Sequence, residues 1–382
     1  MTAEYDLLLH ILRCQLNGEP CVLPKDADLF ALAEVARKHR LEPFLFAAAQ
    51  DTPMEESLFH RLSGVYHRSH FRDAQFDHAK SLITAALSEH GIEHIFMRGI
   101  AIKHAYPDPA LRTMSDVDVL VHSRDLPKLR KALKQVDCQL QPGDGNHRNY
   151  LFPPGIKVEF HPMLLHSSSP VATDINPGWQ YVPEGQDGFC KHMSPEGFYL
   201  NVMCHFANHF FSGGAGIRFV MDLWICDHCM PPLSDPAFVE QELKRVGIWG
   251  FAQNVRKLSE IWFSGAPMDA SLAEMAEYIC SSGIHGRDDR AMLNAICFSP
   301  KKNHHSALLK KVFYPRGDLE NRYDWVQGRP WLLWLAWLVR VWNVLTRRLS
   351  MVFHWRKGTK RFTREQIAQQ QALLLRFNKE NT

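Results

Sequence analysis

The spacing of apolar residues changes period along the chain, and the changes divide it. Near the N-terminus the pattern is helical. In ADLFALAEVARKHR, Leu29, Leu32, Val35 and Ala36 recur at intervals that put them on one helical face. A long, largely polar segment, residues 55–90, carries Leu82, Ile83, Ala86 and Leu87 on one stripe. Then the period shortens. Residues 92–96 form a β-prone run ended by Met97-Arg98-Gly99, and residues 116–121 (DVDVLV) alternate strictly, the pattern of a half-buried strand. Residues 124–136 return to helical spacing through Leu126, Leu129 and Leu133. Residues 136–140, 150–152 and 157–160 are further strand candidates, with a QPGDGN turn between the first two. From about residue 194 the chain is helical again, punctuated by turns at Gly213-Gly214, Pro231-Pro232, Gly265-Ala266-Pro267 and Ser299-Pro300.

The pattern predicts an α+β fold, predominantly helical, around a small mixed sheet. It divides into an N-terminal helical region (1–90), a compact α/β core (91–165), a C-terminal helical region (166–328), and a Trp-rich amphipathic helix with a basic tail (329–382).

Composition adds exclusions. With 46% hydrophobic and 22% charged residues, the chain is neither disordered nor collagen-like. Nine cysteines, an odd number scattered over 382 residues, do not make a disulfide framework. Glu4 and Asp6 stand where a signal peptide would carry positive charge. A reduced, cytoplasmic protein is expected. The longest apolar run, residues 331–339, is broken by Arg340 and is too short to span a bilayer. The net charge of +3 names no partner, but its distribution is uneven. Residues 340–382 hold ten Lys/Arg and two Asp/Glu, a net of +8; the remainder is −5.

The chemistry concentrates in FMRGIAIKHAYPDPALRTMSDVDVLV and the later KVEFH. On a strand, Asp116 and Asp118 point the same way, while Val117, Val119 and Val121 point into the core. Two adjacent acids repel, and a divalent cation relieves the repulsion; hard oxygen ligands at short spacing suit Mg²⁺. Glu159 shares a face with Lys157 and His161 and supplies a third carboxylate if its strand neighbours the first. Three carboxylates could hold one or two metal ions for in-line phosphoryl or nucleotidyl transfer. An isolated Asp-x-Asp can instead merely solvate a strand end. The helix expected after Gly99 offers free backbone N–H groups as a phosphate seat. Glu159 is also a candidate general base, His161 could orient an acceptor or phosphate, and His147 could face the same cleft.

These residues resemble the nucleotidyltransferases of the DNA polymerase β superfamily, and within them the family labelled uncharacterised nucleotidyltransferase. The resemblance rests on Arg98-Gly99, Tyr106, Arg112, the stretch from Asp116 to Val121, and Val158-Glu159-Phe160-His161, within roughly residues 30–230. It implies two Mg²⁺ ions held by Asp116 and Asp118 with Glu159 as third ligand. It also implies an NTP, ATP the first candidate, whose α-phosphate is attacked by an acceptor hydroxyl with release of pyrophosphate. The acceptor is open: a small molecule, carbohydrate, peptide, protein or, as in nucleotidyltransferase toxins, tRNA. In place of the Ser that usually follows the Gly, this chain has Ile100. Arg98, Lys103 and Arg112 are the candidates for the missing phosphate contacts. The same substitution also fits a nucleotide-binding scaffold without turnover.

Two other clusters were weighed. His205 and His209 lie at i and i+4, and Cys204, His209, Cys226 and Cys229 could form a structural zinc site. Packing beside the core is the better reading, because no second C-x-x-C supports zinc. In the resembled family a His-rich helix is followed by an Arg…Asp helix, here Arg218 and Asp222. His205, His209 and Asp222 are therefore candidates for the border of an acceptor pocket. Finally, six of the ten Trp fall in residues 325–355, with Ala336, Arg340, Asn343 and Arg347 on one narrow stripe. The segment reads as a helix buried against its neighbours, although its wide apolar face and basic edge also suit a membrane interface or a partner groove. The basic residues of 340–364, which include a run expected to be flexible at 356–364, could touch RNA phosphates or anionic lipid.

Overall fold

The computed structural model describes the chain except residues 1, 142–146, 168, 172–173, 285, 300, 304, 308–315, 324, 348 and 381–382. It is 62% helical, with one five-stranded mixed sheet. Four helices come first: α1 (Ala3–Asn17), α2 (Leu29–His39), α3 (Glu42–Ala49) and the 34-residue α4 (Glu56–Glu89). The sheet follows as β1 (His94–Met97), β2 (Asp116–Val121), β3 (Gln139–Gln141), β4 (Arg148–Phe152) and β5 (Ile156–His161), in the order β1-β2-β5-β4-β3. Every pairing is antiparallel except β2 with β5.

Period-two alternation decides which residues fill the core. Val117, Val119, Val121, Val158 and Phe160 point to one face, where they meet Phe76, Ala79, Ile83 and Leu87 of α4. Helix α6 (Leu129–Lys134) closes that face with Leu129, Ala132 and Leu133. The predicted helix over 124–136 is shorter than its pattern because Pro127 lacks an N–H donor. Its first half is a 3₁₀ turn, Ser123–Lys128, and only the second half is α-helical. The strand expected over 136–140 begins later, after Asp137 turns through a left-handed conformation (φ 54°). Most of the QPGDGN turn lies outside the described residues.

The other helices form one body, although they come from both ends of the sequence. They include α7 (Pro195–Gly213), α8 (Ile217–His228), α9 (Pro236–Arg245), α10 (Trp249–Phe263), α11 (Ala273–Ser282) and α12 (Asp288–Cys297). Leu8 and Leu12 of α1, Leu32 of α2 and Phe251 and Leu258 of α10 share a single apolar cluster. The Asn17 side chain donates to the Phe263 carbonyl at 2.8 Å. The last helix, Arg364–Phe377, starts at a Thr363/Gln366 capping box and ends against the same α10. There Asn254 donates to the Phe377 carbonyl at 3.1 Å, and Asn378 accepts from the Phe251 amide at 3.0 Å. A side chain at Gly250 would overlap the Asn378 carbonyl oxygen, which is why the closest approach falls on a glycine.

The Trp-rich segment is oriented opposite to expectation. Helix Leu333–Arg347 buries its Ala336–Arg340 stripe over Leu319 and Val326, and Trp334, Leu338 and Trp342 face solvent. A stripe with Ala at its centre lets two backbones come close, which the Trp face cannot. The basic run 356–364 is not a flexible tail either: it starts inside helix Leu349–Thr359 and ends at the first residue of the last helix. No helix among the described residues is long and apolar enough to cross a membrane.

Candidate active site

The polar face of β2 and β5 carries the predicted acids. The parallel register sets Asp118 opposite Glu159 and Asp116 opposite Lys157, so three carboxylates meet on adjacent strands. His161 Nε2 lies 2.8 Å from Asp118 Oδ1 and 3.4 Å from Glu159 Oε2. His147 Nε2 is 3.5 Å from Glu159 Oε2, and Lys157 caps the other oxygen of that carboxylate. Arg98 leaves β1 in a left-handed conformation (φ 55°), strained for a side chain of its size. From there its guanidinium reaches Asp118 at 3.2 Å and the Leu164 carbonyl at 3.0 Å.

The charges are unevenly balanced. Burial would raise the Asp118 carboxyl, but Arg98 and the His161 hydrogen bond outweigh it and hold that acid well below its ordinary range. Glu159, buried but bonded to His161 and near His147, falls to about 2. Asp116 differs: burial and its neighbours Asp118 and Glu159 push it up, and among the described residues the Ser115 hydroxyl, 3.1 Å away, hydrogen-bonds it. An acid left short of positive charge among acids marks where a cation is wanted. Carboxylate oxygens are the donors a hard divalent ion takes; among the described residues the donor atoms that lie within 4.8 Å of one another here are those of Glu159, His147 and His161.

Opposite the acids runs an arginine-lined wall. Arg98, Gly99, Asp116, Asp118, His205 and Arg218 line one cleft. Gly99 is required there, because a Cβ would sit 2.8 Å from both Arg112 Nη1 and Met114 Sδ. Several sequence expectations are corrected at this wall. Arg112 lines the cleft, but it is buried and already forks onto Asp222, with Nη2–Oδ2 at 2.5 Å and Nε–Oδ1 at 3.0 Å. Asp222 lines the cleft as well, with its carboxylate held by Arg112 and by the Tyr106 hydroxyl at 2.7 Å. Lys103 is fully buried on α4, paired with Asp73 at 2.5 Å and Asp77 at 2.8 Å, away from the cleft lining. The helix after β1 is a five-residue turn, Arg98–Ile102, too short for the phosphate seat expected of it.

His205 does line the cleft. Burial and the nearby Arg98 push its pKa well below the ordinary histidine value. His209 lies one turn on, its ring 4.4 Å from His205 and 5.1 Å from Phe219, outside the cleft lining. Cys204, His209, Cys226 and Cys229 do not come together as a metal cluster among the described residues.

One residue that the sequence pattern marked without a role also stands in the cleft. Arg218, at the start of α8, enters the cleft and donates to the Thr113 carbonyl at 2.7 Å. Among the described residues it makes no ion pair, and burial with Arg112 beside it lowers its pKa to about 9. The sequence clue was its place one helical turn before Asp222 in the Arg…Asp helix.

The family model described as "Uncharacterised nucleotidyltransferase" matches residues 25–264, well over half of the chain. The chain belongs to that family. Its placement in the polymerase β-like superfamily agrees with the small mixed sheet and with membership. No curated protein and no solved structure matches the chain. Membership supports nucleotidyl transfer as the general activity and a nucleotide as substrate.

Proposed function

We propose that the protein transfers a nucleoside monophosphate from an NTP, with ATP the first candidate, to an acceptor hydroxyl in a Mg²⁺-dependent reaction. The observation that carries this reading is the cleft itself: three carboxylates on paired strands face Arg218, which makes no ion pair among the described residues. Asp116, Asp118 and Glu159 would hold two Mg²⁺ ions, whose charge polarises the α-phosphate and lowers the pKa of the attacking hydroxyl.

The chain's own groups do the rest. Arg98 and His161 fix Asp118, and His161 and Lys157 fix Glu159, so the acids are held in place before substrate arrives. Arg218 takes the phosphate role that Ser would have filled, supplying charge in place of a hydroxyl. Arg112 and Asp222 brace the wall beneath Gly99. The acceptor oxygen bonds to the α-phosphorus, the bond from that phosphorus to the bridging oxygen breaks, and pyrophosphate leaves. The acceptor proton passes to solvent.

Incubation with each α-labelled NTP and Mg²⁺, with and without chelator, tests the reading. Label transfer and pyrophosphate release should vanish in Asp116→Asn/Asp118→Asn; unchanged transfer overturns the mechanism. A binding-only reading is favoured by one contact, the Arg98–Asp118 pair that already satisfies one acid. It predicts calorimetric NTP binding with no pyrophosphate. Label appearing on tRNA would identify an RNA acceptor.

A further inference from the structure

A soluble helix normally turns its largest apolar side chains inward. Helix Leu333–Arg347 does the reverse. Trp334 is 63% exposed, Leu338 57% and Trp342 68%, and Trp331, in the turn just before the helix, is 67% exposed. With Leu335 they recur at intervals of three, four and seven, so they form one stripe rather than scattered exposure. The opposite stripe, Ala336 and Arg340, is the buried one. Phe353, on the next helix, is exposed as well.

The sequence that contains this stripe carries charge of a single sign. Residues 325–364 contain nine Lys/Arg and no Asp or Glu. Arg340 is buried, but Arg329, Arg356, Lys357, Lys360, Arg361 and Arg364 are all exposed. Two copies of the chain meeting through this face would press basic residues against basic residues. A nucleic acid would leave Leu335 and Leu338 without a role. A surface that is apolar just beneath and negative on top satisfies both features, and Trp is the side chain best suited to such a boundary.

We propose that the exposed Trp face of this helix seats the protein on an anionic membrane surface, with the surrounding Lys and Arg against the headgroups. The helix lies in the interface and does not cross it, in keeping with the absence of a spanning helix among the described residues. The catalytic cleft would then work beside a bilayer, and acceptors held at that surface come within reach.

The test is co-flotation of the full chain with vesicles of phosphatidylcholine alone, or with about a third phosphatidylserine. Binding to the anionic vesicles is expected, with a blue shift of Trp fluorescence, and about tenfold or more weaker binding to the neutral ones. Trp334→Ala/Trp342→Ala should lose flotation by a similar factor while its melting temperature stays unchanged, since both side chains face solvent. Lys357→Gln/Lys360→Gln/Arg361→Gln should bind anionic vesicles as weakly as the parent binds neutral ones. Equal flotation of parent and Trp variant overturns the proposal. So does a concentration-dependent dimer, or RNA binding, that the Trp substitutions abolish while no vesicle binds. None of these outcomes depends on nucleotidyl transfer.

Discussion

Strands β2 and β5 have two faces built from alternate residues of the same short segments, and the two faces do opposite work. On one, Val117, Val119, Val121, Val158 and Phe160 are completely buried against α4 and α6. On the other, Asp116, Asp118 and Glu159 concentrate like charges in a part-buried cleft, an arrangement that folding alone would not select. One face stabilises and the other spends stability on chemistry, and a shift of one residue in register would exchange them.

Substitutions on each face should therefore separate activity from stability. The largest effect is expected from Asp118→Asn, which should lower transfer by roughly a thousandfold or more, given how much positioned charge contributes to phosphoryl transfer. The protein should stay folded, as circular dichroism would check. Next is Val119→Ala on the buried face, expected to cost about 1–3 kcal/mol in denaturant unfolding. It should leave KM for NTP nearly unchanged, and a selective loss of activity would break the division of labour. Arg218→Ala should raise KM for NTP about tenfold or more, with a smaller effect on kcat, because it removes a charged phosphate contact. Asp116→Asn, which removes an acid held above its ordinary pKa, should raise the melting temperature without Mg²⁺ and abolish any stabilisation that Mg²⁺ gives the parent.

The smallest expected effect is a pH dependence outside the cleft. His161 is buried among carboxylates, and their bonds raise its pKa against the pull of burial. His39 is buried among helices, and burial lowers it to about 4 from 6.5; Cys280 carbonyl and the Ile217 amide are its backbone partners. Between those two pH values the unfolded chain binds a proton that the folded chain does not. The His39 contribution is thus fully present above about 6.5 and lost as pH falls toward 4. Melting temperature should decline across that window, and less steeply in His39→Gln.

Much of the sheet was legible because strict alternation leaves little choice: residues 116–121 are β2, residue for residue. The three acids were legible for the same reason, as the parallel β2–β5 pairing needed only that the two strands be neighbours. The destinations of the cations were not. Arg112 finds its aspartate 110 residues away, and Lys103 pairs 30 residues back along α4; no local spacing records either partner. The Trp-rich helix fails differently. Its amphipathic pattern is real, but a pattern cannot say whether the apolar face has a partner. The observed neighbours, Leu319 and Val326, met the small-residue stripe instead.

Both ends of the sequence close on α10, and this bears on the order of assembly. The face of α4 against the sheet joins residues within about one hundred positions of one another, from Phe76 to Phe160. The helical body joins Leu8 to Phe377 in a single cluster. Loops of such different length close at different rates. A nascent chain arrested once β5 has emerged should already protect the catalytic acids' strands from protease. Residues 249–263 should stay cleavable until the final helix is made. The carboxylate cluster would then be assembled early, and the arginine wall on α8 set opposite it late, as the far ends of the polypeptide meet.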